Sequence, residues 1–493
     1  ISTTMPPCSL VARSMTQLKI SDIHYHPDAS ALFEQLLDLP QPCWLDSGRP
    51  WSPFGRYDII TAQPDVLLTT RGDCTDISSA SGNKHATDNP FDLIREHLSP
   101  LRITARGNTA ALPFCGGALG YFSYDLGAFD TGRKYTRLTP AAATDISLPD
   151  MHIGIYSWAI VQDHRQRRAR LICLPSCSNN IRREILSRLK KIGRPAKLEE
   201  QRSEKRTGEF AVGAFKSNLS RASYREKLLK IDDYINAGDC YQVNFAQRFS
   251  ASFSGSSYAA YRRLRRSLPS PFSAYLELDH PALKPQHRCA VLSLSPERFL
   301  HLSGRHVETK PIKGTLPRGQ SPQQDRLNAQ TLRTSLKDRA ENVMIVDLLR
   351  NDLGKNCQIG SVRVPELFAL ESFPNVHHLV STVTGTLDND KTPLDLLQGC
   401  FPGGSITGAP KLRAMEIIAE LEPHHRSVYC GSIGYLSANG NMDTNIAIRT
   451  LVCDRDRIHC WGGGGIVADS EPEKEYAESL AKIQILMDCL TKN

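Results

Sequence analysis

The fourteen cysteines of this 493-residue chain are scattered, and no two stand in Cys-x-x-Cys spacing. That excludes a zinc ribbon and a thioredoxin-like redox pair. A chain of this length buries a large core without disulfide staples, so reduced thiols and a cytoplasmic protein are expected. No run of about 18 apolar residues occurs, so no membrane span is expected. The first residues also lack the apolar core of a secretory signal. Aromatic residues make up only 7% of the sequence. None interleaves the Lys/Arg-rich stretches at 164–170 and 182–206, so these offer no platform for stacking on nucleic-acid bases. The net charge of +8 then reads as solvated surface, with no nucleic-acid partner.

What is present fits a soluble globular enzyme: 40% hydrophobic and 23% charged residues. The length suggests about two to four units. Residues 1–14 are set apart as a leader of uncertain origin, since the sequence opens at Ile1 and Met15 offers an alternative start. Residues 15–175 form an N-terminal subdomain. Residues 176–215 are polar, basic and weakly periodic, and read as a linker or insertion. Residues 216–493 form the second region. In the first, "DVLLTT" (65–70), "HIGIYSWAIV" (152–161) and "ARLICL" (169–174) read as strands. "FEQLLDL" (33–39) and "FDLIREHL" (91–98) read as helices. In the second, helices are expected over 224–239, 338–353, 411–423 and 475–490, and "RCAVLSLSPERFLHL" (288–302) reads as a hairpin of buried strands. Strands come in clusters, not in βαβ alternation, which predicts an α+β fold with mainly antiparallel sheet.

"KPIKGT" (310–315) places two lysines in an apolar, turn-prone stretch. A lysine starts near pKa 10.4, so about one in 2,500 is neutral at pH 7, and burial lowers that pKa by up to several units. Lys313 is therefore either a nucleophile or an ammonium that snorkels from a strand edge. Glu297, in "SLSPERF", lies across the expected hairpin, where an acid would face that amine. Asp338 and Glu341 share one helix face, and Glu471, Glu475, Glu478 and Lys482 share another. Brought together, the two faces would offer a hard cation one carboxylate each. Kept apart, they are solvated surfaces with intrahelical ion pairs. "FPGGSITGAPK" (401–411) has glycines at phosphate-loop spacing but lacks the Lys-Ser/Thr that such a loop requires. Its backbone N–H groups still suit a carboxylate. "WGGGGIVADS" (461–470) carries four glycines after an expected strand. That is either a loose turn or a close backbone approach to a ligand.

Taken together, "SLSPERF", "PIKGTLPRG", "KDRAENVMIVDLLRNDLG", "VPELF", "VHHLVSTVTG", "FPGGSITGAPKLRAMEII", "CGSIGYL", "NMDTNIAIRTL" and "GGGIVADSEPEKEYAES" resemble the chorismate-utilising enzymes, in order, from Tyr224 to the end. The resemblance implies two packed, mostly antiparallel β-sheets with outer helices, and an interleaving of N- and C-terminal segments. It implies chorismate as substrate and Mg²⁺ as cofactor. Anthranilate-forming members read Pro-Ile-Ala-Gly-Thr where this chain reads Pro-Ile-Lys-Gly-Thr. This points to the branch that makes 4-amino-4-deoxychorismate on the way to 4-aminobenzoate and folate. Gln242 stands where water-using members carry a lysine base, which argues against water as nucleophile. In that branch Lys313 attacks C2 of chorismate while Glu297 protonates the departing C4 hydroxyl, and ammonia then adds at C4 and expels the lysine. Glu341 and Glu478 match Mg²⁺ ligands, with Asp338 and Glu475 holding metal-bound water. His378, Ser405, Tyr429, Arg449, Lys482 and the backbone at Gly463 and Gly465 match the substrate-binding shell. None of the cysteines lies in a Gly-x-Cys-x-Gly elbow, so the implied ammonia source is a separate glutamine amidotransferase subunit. A looser N-terminal match, through "DSG" (46–48), "RYD" (56–58) and "LPFCGGALGYFSYDLG" (112–127), implies an L-tryptophan pocket. It would comprise Ser47, Phe54, Gly55, Arg56, Tyr57, Pro271, Phe272 and Ser273. Two other readings stand beside this one: component I of an anthranilate-forming enzyme, and a non-catalytic tryptophan-binding scaffold. Retention of Lys313, Glu297, Glu341 and Glu478 together argues against the scaffold.

Overall fold

The structure, a computed structural model, describes residues 17–52, 55–104, 107–131, 145–192, 208–278, 289–373 and 376–492. The leader 1–14 and Phe54 of the expected tryptophan pocket lie outside the described residues. Two sheets of 13 and 12 strands form the scaffold, and every strand pairing among the described residues is antiparallel. Both sheets mix the two halves of the chain. In the first, Cys43–Asp46 pairs with Phe272–Leu278. In the second, Gly117–Phe122 pairs with Ser432–Ser437.

Period-two alternation explains the first sheet's composition. Ile59, Ile172 and Val291 enter the apolar cluster shared with the second sheet. Their neighbours Ile60, Leu171 and Leu292 enter another, beneath the helices Ser257–Ser267 and Pro472–Thr491. A strand covered on both faces needs apolar or small residues at consecutive positions, and "CAVLSLS" (289–295) is buried throughout.

Four expectations differ from the structure. "FEQLLDL" contains only the end of a short helix, Ser30–Phe33. Turns follow it, closed by Leu36 N–H to Phe33 O and Leu39 N–H to Leu36 O. These bury Leu36 and Leu39 without a continuous helix. The segment 288–302 is not a hairpin. Cys289–Ser295 pairs with 272–278 and 450–454 in the first sheet, whereas Arg298–Ser303 pairs with 306–309 and 442–445 in the second. Pro296 has no N–H for a ladder, and Pro296-Glu297 carries the chain across. The glycines of "WGGGG" do not follow a strand. They lie inside Arg457–Ile466, paired with Gln242–Gly255. Finally, the expected linker opens with a helix, Asn179–Leu189, capped by Ser178 and docked through buried Ile185 and Leu189. Strands Phe210–Val212 and Lys216–Ser217 then join the first sheet. Residues 193–207 lie outside the described residues. Among the described residues no helix is long and apolar enough to cross a membrane.

Candidate active site

Glu297 sits where the chain crosses between sheets, only 5% exposed. Its Oε1 accepts a hydrogen bond from Ser405 Oγ at 2.8 Å, and the backbone N–H of Ile312 also reaches the carboxylate. Burial pushes its pKa up to about 7, against the opposing pull of the Ser405 hydrogen bond and the Lys313 ammonium. Lys313 lies one residue past Ile312 on the strand Ile312–Pro317. Burial lowers its pKa; Glu341 opposes that most strongly, Lys482 adds to it, and Glu297 and Glu478 oppose it further. The next residue, Gly314, has φ +82°, and a Cβ there would stand 2.9 Å from Asp338 Cγ. A glycine thus lets the helix Leu336–Gly354 seat its first turn against this strand.

Two helices bring the carboxylates together. Leu336–Gly354 packs on the 312–317 strand and Pro472–Thr491 on the 457–466 strand. Lys337 Nζ bridges them, 4.0 Å from Glu341 and 3.5 Å from Glu475. Glu475 is buried and accepts from Ser470 Oγ at 2.8 Å. Burial raises the Glu341 pKa, and Asp338 and Glu475 add to that rise against Lys313 and Lys337. Burial would raise Glu478 too, but the ammonium and hydrogen bond of Lys482, 2.8 Å away, lower it. Lys482 also donates to Gly463 O at 2.8 Å. A Cβ on Gly464 would stand 3.2 Å from Glu475 Oε2, so the acidic side chains lie over bare backbone. Glu471 instead pairs with Lys474 at the surface.

The remaining expected groups surround this centre. His378 Nδ1 bonds Thr315 Oγ1 at 2.8 Å. Burial, with Arg449 nearby, drops its pKa to about 3, so the ring is neutral at pH 7. Burial lowers the Arg449 pKa, and no carboxylate pairs with it among the described residues. The Tyr429 ring stacks on Trp461, centroids 5.6 Å apart and planes 4° apart. Gln242 is fully buried, and neither amide atom finds a partner among the described residues. It lies beside Gly465, whose Cβ would stand 2.8 Å from Gln242 Nε2. Orphaned buried polar atoms are costly.

A separate cavity of about 520 Å³ lies next door, walled by Gly55, Arg56, Tyr57, Pro271, Phe272 and Ser273. Ser47 is not in its wall; it is buried, with its N–H on Asp58 Oδ1 at 2.8 Å. The two lysines of "KPIKGT" part here. Lys310 lines this cavity and pairs with Glu371 at 2.7 Å, whereas Lys313 joins Glu297. Pro296 and Ile312, the neighbours of Glu297 and Lys313, also line it.

The family described as chorismate binding enzyme matches residues 41–488. The chain belongs to that family. It is 46% identical to aminodeoxychorismate synthase component 1 of Salmonella typhimurium over 464 residues, 94% of this chain and 96% of the relative. It is 40% identical to anthranilate synthase component 1 of Thermus thermophilus over 377 residues, 76% and 77% of the two chains. Anthranilate synthase component I of Streptococcus pneumoniae superposes with a TM-score of 0.74 at 29% identity, covering 88% of this chain and 92% of that one. The menaquinone-specific isochorismate synthase of Escherichia coli shares the fold, with a TM-score of 0.67 at 16% identity, covering 97% and 95%.

Sequence reasoning missed what holds this chorismate-family site in shape. Arg426 is 1% exposed and binds both oxygens of Glu422, at 2.9 and 2.6 Å. It also donates to Ile406 O at 2.9 Å and Asn244 O at 2.6 Å, tying down the loop that carries Ser405. Its guanidinium lies 4.6 Å from the Tyr124 ring centroid and 6.0 Å from that of Tyr429. The available signal was an i,i+4 Glu–Arg pair just past a helix end, which reads as surface charge. Arg426→Met strands a buried carboxylate and should lower unfolding stability by about 3–5 kcal/mol in denaturant titration. The Glu422→Gln, Arg426→Met double variant should lose less than the two single losses added together.

Proposed function

We propose that this chain converts chorismate and ammonia to 4-amino-4-deoxychorismate, with a separate amidotransferase subunit releasing the ammonia from glutamine. The carrying observation is a half-buried amine with a lowered pKa beside a buried carboxyl raised to about 7. Near-full-length identity to aminodeoxychorismate synthase component 1 relatives supports it.

Neutral Lys313 Nζ adds at C2, both ring double bonds shift (C1=C2 to C1=C6, C5=C6 to C4=C5), and the C4–O bond breaks as Glu297 gives its proton and water departs. Ammonia then adds at C4, both double bonds return to their original places, and the C2–N bond breaks so that Lys313 leaves as the neutral amine. The new C4 ammonium returns a proton to Glu297, directly or through solvent. The sum is chorismate plus ammonia giving aminodeoxychorismate plus water. Arg449 and Tyr429 grip a substrate carboxylate, His378, Ser405, Lys482 and the Gly463 and Gly465 backbone complete the shell, and neutral His378 adds no charge.

Glu341 and Glu478 would hold Mg²⁺, with Asp338 and Glu475 holding its waters. The donor set fits: oxygens from two helices converge where the Lys337 ammonium already bridges them, and the like charges near Glu341 favour a divalent cation. When bound, the ion supplies positive charge that neutralises substrate carboxylates. The 520 Å³ cavity, with apolar walls and paired charges, would take L-tryptophan. Every cysteine among the described residues is a free thiol, which supports a cytoplasmic enzyme.

The test incubates the chain with chorismate, Mg²⁺ and ammonium at about pH 8.5, where more ammonia is free base. Half the reactions receive a lyase that cleaves aminodeoxychorismate. 4-Aminobenzoate only with the lyase supports the reading. Anthranilate without it transfers the chain to the anthranilate-forming branch. Untouched chorismate leaves only the scaffold reading.

A further inference from the structure

The outermost hairpin of the second sheet carries a cluster that the proposed reaction does not use. Sγ of Cys74, a carboxylate oxygen of Asp76 and a ring nitrogen of His85 all lie within 4.8 Å of one another. The strand pattern builds this arrangement. On Cys74–Ser79, Thr75 and Ile77 point into the protein, so Cys74 and Asp76 share the outward face. His85 stands directly across from Asp76 on the edge strand Gly82–Ala86. Its Nδ1 meets Asp76 Oδ1 at 2.5 Å.

The thiol is the unusual member. Among the described cysteines only Cys74 and Cys489 are not buried, and Cys489 bonds Ser267 Oγ at 3.1 Å. Cys74 is half-buried and in no disulfide. A thiol that reaches the surface is a liability there, and here it faces an imidazole and a carboxylate. Arg71 is paired across the turn with Cys74. Its Nη1 is held on Ser147 O at 2.6 Å.

We propose that Cys74, Asp76 and His85 bind Zn²⁺, with water in the fourth position. Sulfur, nitrogen and carboxylate oxygen are the donors zinc takes in tetrahedral geometry, and a thiolate disfavours Mg²⁺ and Ca²⁺. Binding releases the Cys74 thiol proton to solvent, and the His85 proton moves from Nδ1 to Nε2 as Nδ1 meets the metal. The ion would pin an edge strand that is otherwise held by a single ladder, to 74–79.

The test titrates Co²⁺ into the reduced full chain in excess Mg²⁺, which occupies the carboxylate site. One equivalent should raise a near-ultraviolet thiolate-to-cobalt charge-transfer band. The band should vanish in Cys74→Ser and His85→Ala and persist in Cys489→Ser. These are exposed or half-buried positions, so the variants should fold. In competition with a chromophoric chelator, Cys74→Ser should weaken Zn²⁺ binding by more than the roughly 10- to 100-fold that losing a supporting partner costs. Zn²⁺ should slow amide exchange over 82–86 in the native chain but not in Cys74→Ser. Absence of the band, its survival in Cys74→Ser, or unchanged Zn²⁺ affinity in the variants would overturn the assignment.

Discussion

Lys313→Ala should cut aminodeoxychorismate formation roughly 10³-fold or more, because it removes the atom proposed to bond the substrate. The loss should fall on kcat with KM little changed, since Glu341, Glu478, Arg449 and Tyr429 remain. A rate alone would not separate a nucleophile from a charge that helps bind, so the decisive readout is covalent. With chorismate and Mg²⁺ but no ammonia, the native chain should gain the mass of chorismate less one water, mapped by digestion to the peptide containing Lys313. Lys313→Ala should gain nothing. Lys313→Arg restores the positive charge but stays protonated, so it should rescue neither turnover nor adduct. An adduct that forms equally in Lys313→Ala would end the covalent reading and leave direct attack by ammonia.

That prediction rests on residues legible in the sequence, and much of their surroundings was legible too. The helices carrying Glu341 and Glu478 show a 3.6-residue period, and the motif order identifies their partners. The crossing at Pro296-Glu297 was not legible. Apolar strands read alike whichever sheet receives them, and the true pairings are remote: His301 faces Asp443, and Ala290 faces Cys453. The glycine run 462–465 read as a loose turn or a close backbone approach to a ligand, placed after a strand and not within one, because glycine is depleted in strands. Its place inside one follows from the helix above, since a Cβ at Gly462 would stand 2.2 Å from Ser479 O. The burial of Arg426 was not legible for a related reason. A charged side chain is rarely fully buried unless paired, and beyond Glu422 its partners, the Ile406 and Asn244 carbonyls, are remote in sequence and meet it only in the fold.

Glu297→Gln should lower turnover by roughly 10²- to 10⁴-fold, the usual worth of a positioned general acid, while moving the pH dependence in a way that identifies the pair. The productive form needs Glu297 protonated and Lys313 neutral together. At ordinary values their pKa values differ by about 6 units, so that form would be vanishingly rare. Burial raises Glu297 to about 7 and lowers Lys313. Both shifts close the gap, each unit enriching the productive form about tenfold. In the native chain kcat/KM should fall below about pH 7. There Glu297 takes up a proton while Lys313 is still charged, and no neutral amine remains. It should fall again above the Lys313 pKa, where the pair has lost its last proton. In Glu297→Gln the limb near pH 7 should disappear, and the acid limb should follow Lys313 alone. Glu297 raises the Lys313 pKa, so removing its charge should lower that pKa. Lys313 should then react faster with an amine-directed reagent at pH 8 even as turnover collapses. A Gln variant that keeps the limb near pH 7, or whose Lys313 reacts more slowly, would separate the two residues and require another acid.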